Sequence, residues 1–406
     1  MASQVNEFKR GWGVLVASFF GIGVAINSVL FYTFGLWIVP WQDEFGWSRA
    51  QIGGAQTAAT IILIAAVPLA GRAIDMFGIR KVAIPSMFLF GVSTYFATFL
   101  NGSLLGLYGI VALFALAGAG ATPVSFTRAI NGWFARNRGL ALGLGLMSTG
   151  FAGAALPAIF TPYVAEHGWR AAMALLSLII IAPIPIVWLW IKDRGPEDDA
   201  ASTEGVETPL VKSDIKRAEF RKLALVFFLI AFGVCGLIPS FIPMLLDAGF
   251  SPETAGGYTA IIGVSVIVGR LSAGFLVDRI FAPYVTAVLF SAAALGLAVM
   301  ALGGASFAII GAIALGFAIG AEVDLIGYYT ARYFGTRNYG ALFGILYSCF
   351  SAGCAISPLA AGFIWDATGS YGAAFLGAAC LLAIAVVITL TLPRFPANDL
   401  RALVQS

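Results

Sequence analysis

Long apolar runs, separated by short polar stretches, repeat along the whole 406-residue chain. Twelve of them are predicted as helices, over residues 12–37, 51–70, 82–101, 104–130, 139–162, 170–191, 222–246, 254–276, 284–303, 306–330, 339–363 and 371–392. Each reaches about the ~20 residues a tilted helix needs to cross the hydrocarbon core of a bilayer. The polar stretches are short except 193–221, where Gly195-Pro196, Asp198-Asp199 and Thr208-Pro209 fall among charged residues. That stretch reads as a linker between an N-terminal half, 1–192, and a C-terminal half, 222–406. The expected fold class is an all-α membrane protein whose twelve transmembrane helices form two pseudo-symmetric six-helix bundles.

Composition supports the same class. Hydrophobic residues make up 60% and charged residues 11%, with a mean hydropathy of +0.93; soluble domains carry about 25% charged residues. The net charge of +3 is spread over short loops, so a nucleic-acid partner is not expected. Lys9 and Arg10 precede a run of spanning length rather than a short core with a cleavage site, so no cleavable signal peptide is expected. Cys235, Cys349, Cys354 and Cys380 lie in apolar runs without a CxxC pair and are expected as buried reduced thiols. His167, the sole histidine, belongs to a loop, which disfavours a zinc site or a histidine proton relay. No cofactor is implied, and no nucleophile-and-base pair, nucleotide loop or metal cluster suggests an enzyme.

Loop charge sets the expected orientation. With both termini in the cytoplasm, 19 of the 23 Lys and Arg fall inside and only Arg49 and Arg170 outside, as the positive-inside rule demands. Short loops and compact length suit an inner cell membrane and a monomeric chain.

The halves also repeat one another. Pro40, Gly46-Trp47-Ser48 and Gly53-Gly54 recur 203 residues later as Pro243, Gly249-Phe250-Ser251 and Gly256-Gly257. At an offset of 201, Arg136-Asn137-Arg138-Gly139 meets Arg337-Asn338-Tyr339-Gly340, and Pro157 meets Pro358. Parallel repeats of this kind place a substrate site near the midplane between the halves, reached by rocking one against the other.

Four charges remain inside the spans: Arg128, Arg270, Glu322 and Asp324. A charge in hydrocarbon is costly and marks a substrate or ion pathway. Arg270 lies eight residues before Asp278, about 12 Å into the membrane. Its guanidinium offers paired donors to a carboxylate and keeps its proton, although a permanent ion pair with either acid would account for it too. Glu322 and Asp324 lie about 13 to 17 Å deep on the tenth run, a matching depth. Two positions apart on a helix is ~200° of rotation, so only one faces a given axis squarely; Asp324 is favoured, because Gly320 and Tyr328 share its face.

Arg128, a turn from the end of the fourth run, is a second anion contact, an inner gate or an interfacial arginine. Across the repeat it aligns with Tyr328, and Thr122 and Val124 align with Glu322 and Asp324. Thr122 and Tyr328, with Asn27 and Tyr32 on the first run, are therefore candidate substrate contacts, and Tyr32, Tyr328 and Phe126 candidate surfaces for an apolar tail. Arg72, Asp75, Arg80 and Lys81, with Asp278 and Arg279, are candidates for a conformational gate.

Several of these residues carry a resemblance. Gly71-Arg-Ala-Ile-Asp-Met-Phe-Gly-Ile-Arg-Lys81 resembles the loop motif of the major facilitator superfamily, and Asp278-Arg279 repeats it weakly. Arg10-Gly-Trp-Gly13, Glu44-Phe-Gly-Trp-Ser-Arg49 and Trp133-Phe-Ala-Arg-Asn-Arg-Gly-Leu-Ala-Leu-Gly143 resemble the monocarboxylate transporter branch and its bacterial relatives, including oxalate/formate exchangers. The resemblance implies transport of a small organic acid anion, with Arg270 in the place of the arginine that binds the substrate carboxylate. It departs at Val266, where animal members carry an aspartate, at Tyr32, where they carry a lysine, and at Leu346, where oxalate exchangers carry a second cation. Any proton coupling then falls to Glu322 or Asp324, and a small dicarboxylate is disfavoured. The expectation is a proton-coupled monocarboxylate symporter; a carboxylate exchanger and a transport-dead nutrient sensor are the alternatives.

Overall fold

The computed structural model describes residues 2–134, 137–192, 214–277, 279–335 and 339–395. The expected linker, Asp278 of the gate set and the Arg337-Asn338 repeat of Arg136-Asn137 lie largely outside them. The described residues are helical almost throughout, in fifteen α-helices. These are α1 (Ala2–Gly23), α2 (Ile26–Phe45), α3 (Arg49–Phe77), α4 (Ile79–Phe96), α5 (Leu104–Gly118), α6 (Pro123–Trp133), α7 (Arg138–Ile181) and α8 (Ile184–Trp190), followed by α9 (Ala218–Val234), α10 (Leu237–Asp247), α11 (Pro252–Val277), α12 (Ala282–Gly303), α13 (Ala308–Phe334), α14 (Tyr339–Thr368) and α15 (Gly372–Leu390).

Adjacent pieces join into ten continuous helical stretches apolar enough to cross a bilayer. Two of these, Gly139–Trp190 and Ala282–Phe334, are 52 and 53 residues long, about twice what one crossing uses. The first breaks at Gly168 (φ 79°) and the second at Gly304 (φ 74°), so the ten stretches contain the twelve expected crossings.

Local chemistry places the ends. Gly46 caps α2 at φ 68°, and its repeat partner Gly249 stands at φ 82° after α10; this left-handed backbone costs an L side chain energy and a glycine almost none. Ser48 then opens α3 with a capping box: Gln51 N donates to Ser48 Oγ at 3.2 Å, and Ser48 N donates to Gln51 Oε1 at 2.9 Å. Where the seventh crossing breaks between α9 and α10, Gly236 N donates to Ser357 Oγ at 2.7 Å, and that hydroxyl donates to Phe232 O at 2.6 Å. A side chain from α14 thus takes up backbone groups that lipid would leave unsatisfied.

Two compact units emerge. One draws on Met1–Gly205 together with Phe241–Gly263, the other on Val206–Ser240 together with Val264–Ser406. Hence the division does not follow the sequence repeat: the hairpin 241–263, made of α10 and the start of α11, packs within the first unit. That unit is centred on buried aromatics, with Trp41 6.2 Å from Trp47 and 6.1 Å from Trp169, ring centre to ring centre. In the second, the fully buried Tyr329 shares a 2.8 Å hydroxyl hydrogen bond with Thr286 and packs against Phe227.

One expectation about the thiols is corrected. Cys235, at the α9–α10 break, and Cys354 on α14 are bonded as a disulfide, with Cα atoms 5.0 Å apart. Only Cys349 and Cys380 are free. Spacing along the chain gave no hint of this, because the two residues meet only once their helices pack.

A candidate transport site on α11 and α13

The polar centre of the second unit is built where α11 crosses α13. Gly269 and Gly320 make the crossing tight: a Cβ on Gly269 would fall 2.9 Å from Phe317 Cα, and one on Gly320 would fall 2.3 Å from Val266 O and 2.9 Å from Arg270 N. With no side chain on either glycine, the two backbones touch, as small residues permit in membranes. This contact fixes the register of Arg270, one residue past Gly269, against Glu322 and Asp324, two and four residues past Gly320.

Two of the three charges, Arg270 and Asp324, meet at the depth they share. Arg270 Nε lies 3.4 Å from Asp324 Oδ2. Arg270 is largely buried (15% exposed) and Asp324 partly accessible (37%), the more accessible of the two acids. Glu322 is buried, and its Oε2 accepts no hydrogen bond among the described residues. It stands within electrostatic reach of Arg270 and of the Tyr347 hydroxyl on α14. Tyr347 was missed in the sequence; its ring lies between Phe343 and Phe350 in an i, i+4, i+7 stripe, centroids 5.9 and 5.6 Å away, and that stripe was the available signal. Val266 and Leu346, where the resemblance would place an acid and a second cation, are buried apolar side chains.

The remaining candidates are dispersed. Tyr328, one turn beyond Asp324, donates its hydroxyl to Val277 O at 2.9 Å and joins an aromatic group with Phe395, so it is engaged at the end of α11. Tyr32 is buried in the first unit, where its ring would meet a Cβ on Gly153 at 2.7 Å; Asn27 on the same helix is exposed. Thr122 is buried at the start of α6, with its hydroxyl making no hydrogen bond among the described residues. Phe126, expected as a tail contact, is instead fully buried core: it fills the space left by Gly21, where a Cβ would come within 2.3 Å of its ring.

Arg128 pairs with Asp75 on α3. The network expected between Arg72, Asp75, Arg80, Lys81 and the loop after α6 falls partly outside the described residues, since residues 135 and 136 are not among them. Arg80 Nε donates to Ile191 O at 3.0 Å, and Arg72 and Lys81 are exposed without an ion pair among the described residues. Arg279 lies over the Phe275 ring at 3.6 Å and donates to Phe275 O at 3.0 Å. The Asp75 carboxylate accepts from Arg128 of α6.

Twelve apolar crossings, a duplicated half and a charged cluster within the spans define a polytopic transporter. The chain belongs to the Major Facilitator Superfamily, whose family model matches residues 16–323. Among curated relatives it is 23% identical over 401 residues to bovine monocarboxylate transporter 13, covering 97% of this chain and 92% of that one. It is 27% identical over 404 residues to human monocarboxylate transporter 11, covering 95% and 83%. The transporter asaE of Aspergillus flavus is 26% identical over 337 residues, covering 80% and 73%. Among solved structures, a point mutant of the nucleoside transporter NupG aligns with a TM-score of 0.72 at 11% identity, covering 94% of this chain and 98% of that one. A bacterial homologue of the human lysosomal transporter Spinster aligns at 0.67 and 17%, covering 93% and 94%. These solved structures share the fold; the resemblance to the monocarboxylate transporter branch rests on the sequence relatives.

Proposed function

We propose that this chain is a proton-coupled symporter of a monocarboxylate or similar small organic acid anion, working by alternating access in an inner cell membrane with both termini cytoplasmic. The observation that carries the reading is the Arg270–Asp324 pair beside Glu322 on two helices in backbone contact. Arg270 balances one carboxylate at a time. An entering substrate carboxylate takes the guanidinium only when Asp324, or Glu322 behind it, gives up its charge by binding a proton; otherwise three carboxylates would share one cation in a poorly solvated place. The coupling is then one proton for each monocarboxylate. Release on the far side reverses the exchange, with Asp324 returning to Arg270. Arg128 and Asp75 belong to the gate, and one cation at the α11–α13 crossing suits one substrate carboxylate better than two.

The test is uptake of labelled short-chain and aromatic monocarboxylates into proteoliposomes, with and without an inward proton gradient, for wild type and Arg270→Ala. Gradient-driven uptake that the substitution abolishes is expected. Uptake indifferent to the gradient but dependent on internal anion would make the protein an exchanger, and wild-type uptake by the variant would remove Arg270 from the anion site.

A further inference from the structure

Where α15 stops, residues 391–395 leave the helix and run across the ends of other helices of the second unit. Lys222 Nζ on α9 donates to Thr391 O at 3.0 Å, and the Tyr333 hydroxyl on α13 donates to Pro393 O at 2.6 Å. Phe395 then sets its ring among three others. The ring centres lie 4.8 Å away for Tyr333, 5.0 Å for Phe281 beside the start of α12, and 6.2 Å for Tyr328. The Arg332 guanidinium stands 4.9 Å from the centre of the Phe395 ring, within cation–π range. Tyr328 passes the connection on, because its hydroxyl is bonded to Val277 O at the end of α11. A short extended segment thereby ties α15 to α9, α11, α12 and α13.

The sequence repeat marks part of this as a recurring device. At the offset of 200 that aligns Arg128 with Tyr328, Tyr333 corresponds to Trp133 at the end of α6; at the offset of 201, Pro393 corresponds to Lys192. In the first unit Trp133 Nε1 donates to Lys192 O at 3.1 Å. An indole and a phenol, unlike in shape, thus bring a donor to equivalent carbonyls just past the last crossing of each half. The ring anchor belongs to the second half by sequence, since Phe395 corresponds to Arg194 at that offset.

We propose that residues 391–395 are a strap that docks and undocks, with Phe395 as its plug, and that docking keeps the ends of α11, α12 and α13 from spreading. The strap is built to come away. Thr391, Pro393 and Arg394 are exposed and Phe395 is only half-buried, and segments held by few buried contacts open locally, ahead of the fold as a whole. What the plug grips is part of the core: Tyr333 is buried and packs at 6.1 Å on the fully buried Tyr329. Undocking therefore frees the helix ends without unpacking the unit. Asp324 lies nine residues before Tyr333 on α13, about 13 Å along the axis, so the strap fixes one end of the helix that carries it. The device needs no particular substrate and stands apart from the symport reading.

The experiment reads the docked state from thiol labelling. Ala282→Cys, at the fully buried start of α12 next to Phe281, reports on the second unit; Ala141→Cys, fully buried near the start of α7, reports on the first. Each is introduced into full-length protein carrying Cys349→Ser and Cys380→Ser, reconstituted in nanodiscs with both faces open to a polar maleimide. Phe395→Ala is expected to speed labelling of the Ala282→Cys reporter about tenfold, the factor that ~1.4 kcal/mol of lost docked-state preference gives. It should leave the Ala141→Cys reporter unchanged. Phe395→Tyr keeps the ring and should label as wild type does. Unchanged labelling of the Ala282→Cys reporter in Phe395→Ala overturns the proposal. So does a Phe395→Tyr variant that labels as fast as Phe395→Ala, or equal acceleration of the Ala141→Cys reporter, which would mean general loosening.

Discussion

Replacing Gly320 by alanine adds one methyl group at the point where α13 touches α11. Its carbon would sit 2.3 Å from Val266 O and 2.9 Å from Arg270 N, and both neighbours are backbone atoms that no rotamer change can move aside. The helices must separate, and overpacking of this kind costs about 1–3 kcal/mol. The same substitution at Gly377, an exposed position on α15 with nothing within 4 Å, is an internal reference. There alanine only improves helix propensity, by about 1 kcal/mol. Alanine gains the same helix propensity at Gly320, so the two variants should differ by the overpacking cost alone, about 1–3 kcal/mol. Size-exclusion thermostability of the purified variants in detergent is the assay: Gly320→Ala should lose its monodisperse peak at a clearly lower temperature than Gly377→Ala, and Gly377→Ala at the same temperature as wild type or a higher one. If Gly320→Ala proves as stable as Gly377→Ala, the backbone contact that sets Arg270 against Asp324 does not exist as described, and the geometry of the site falls with it.

Asp324→Asn retains shape and removes the charge that Arg270 balances; carboxylate exchange should continue while uptake driven by a proton gradient falls about tenfold or more, a loss of ~1.4 kcal/mol of coupling. Should Glu322→Gln alone produce that pattern, the buried acid is the proton carrier. Thiol titration of the unfolded, unreduced chain should count two reactive cysteines, Cys349 and Cys380, and after reduction four; four before reduction would refute the Cys235–Cys354 bond.

Depth was legible in the sequence and rotation was not. Counting residues from the ends of apolar runs brought Arg270, Glu322 and Asp324 to one level, because a helix rises by a fixed ~1.5 Å per residue. Which way a side chain points was harder to read: helices in lipid are apolar on both faces, so the 3.6-residue period that marks a core face in water is muted. That is why Phe126 was read as a ligand contact and proved to be core, and why Tyr328 was assigned to a cavity although its hydroxyl is bound to Val277 O. Pairs between distant segments were the other blind spot. Cys235 and Cys354 are 119 residues apart, Arg49 donates to Asp247 across 198, and no spacing rule links either pair.

After Pro252 at its start, the 26 residues of helix α11 contain no proline, and α13, which it crosses, contains none, whereas α3, α4, α7 and α14 each carry one or more in their interiors. A proline-free helix is stiff along its axis, since kinks in long helices mostly arise at prolines. That stiffness keeps Gly269 and Arg270 in one register, so the backbone contact with α13 at Gly269 and Gly320 leaves the guanidinium a single axial level to occupy.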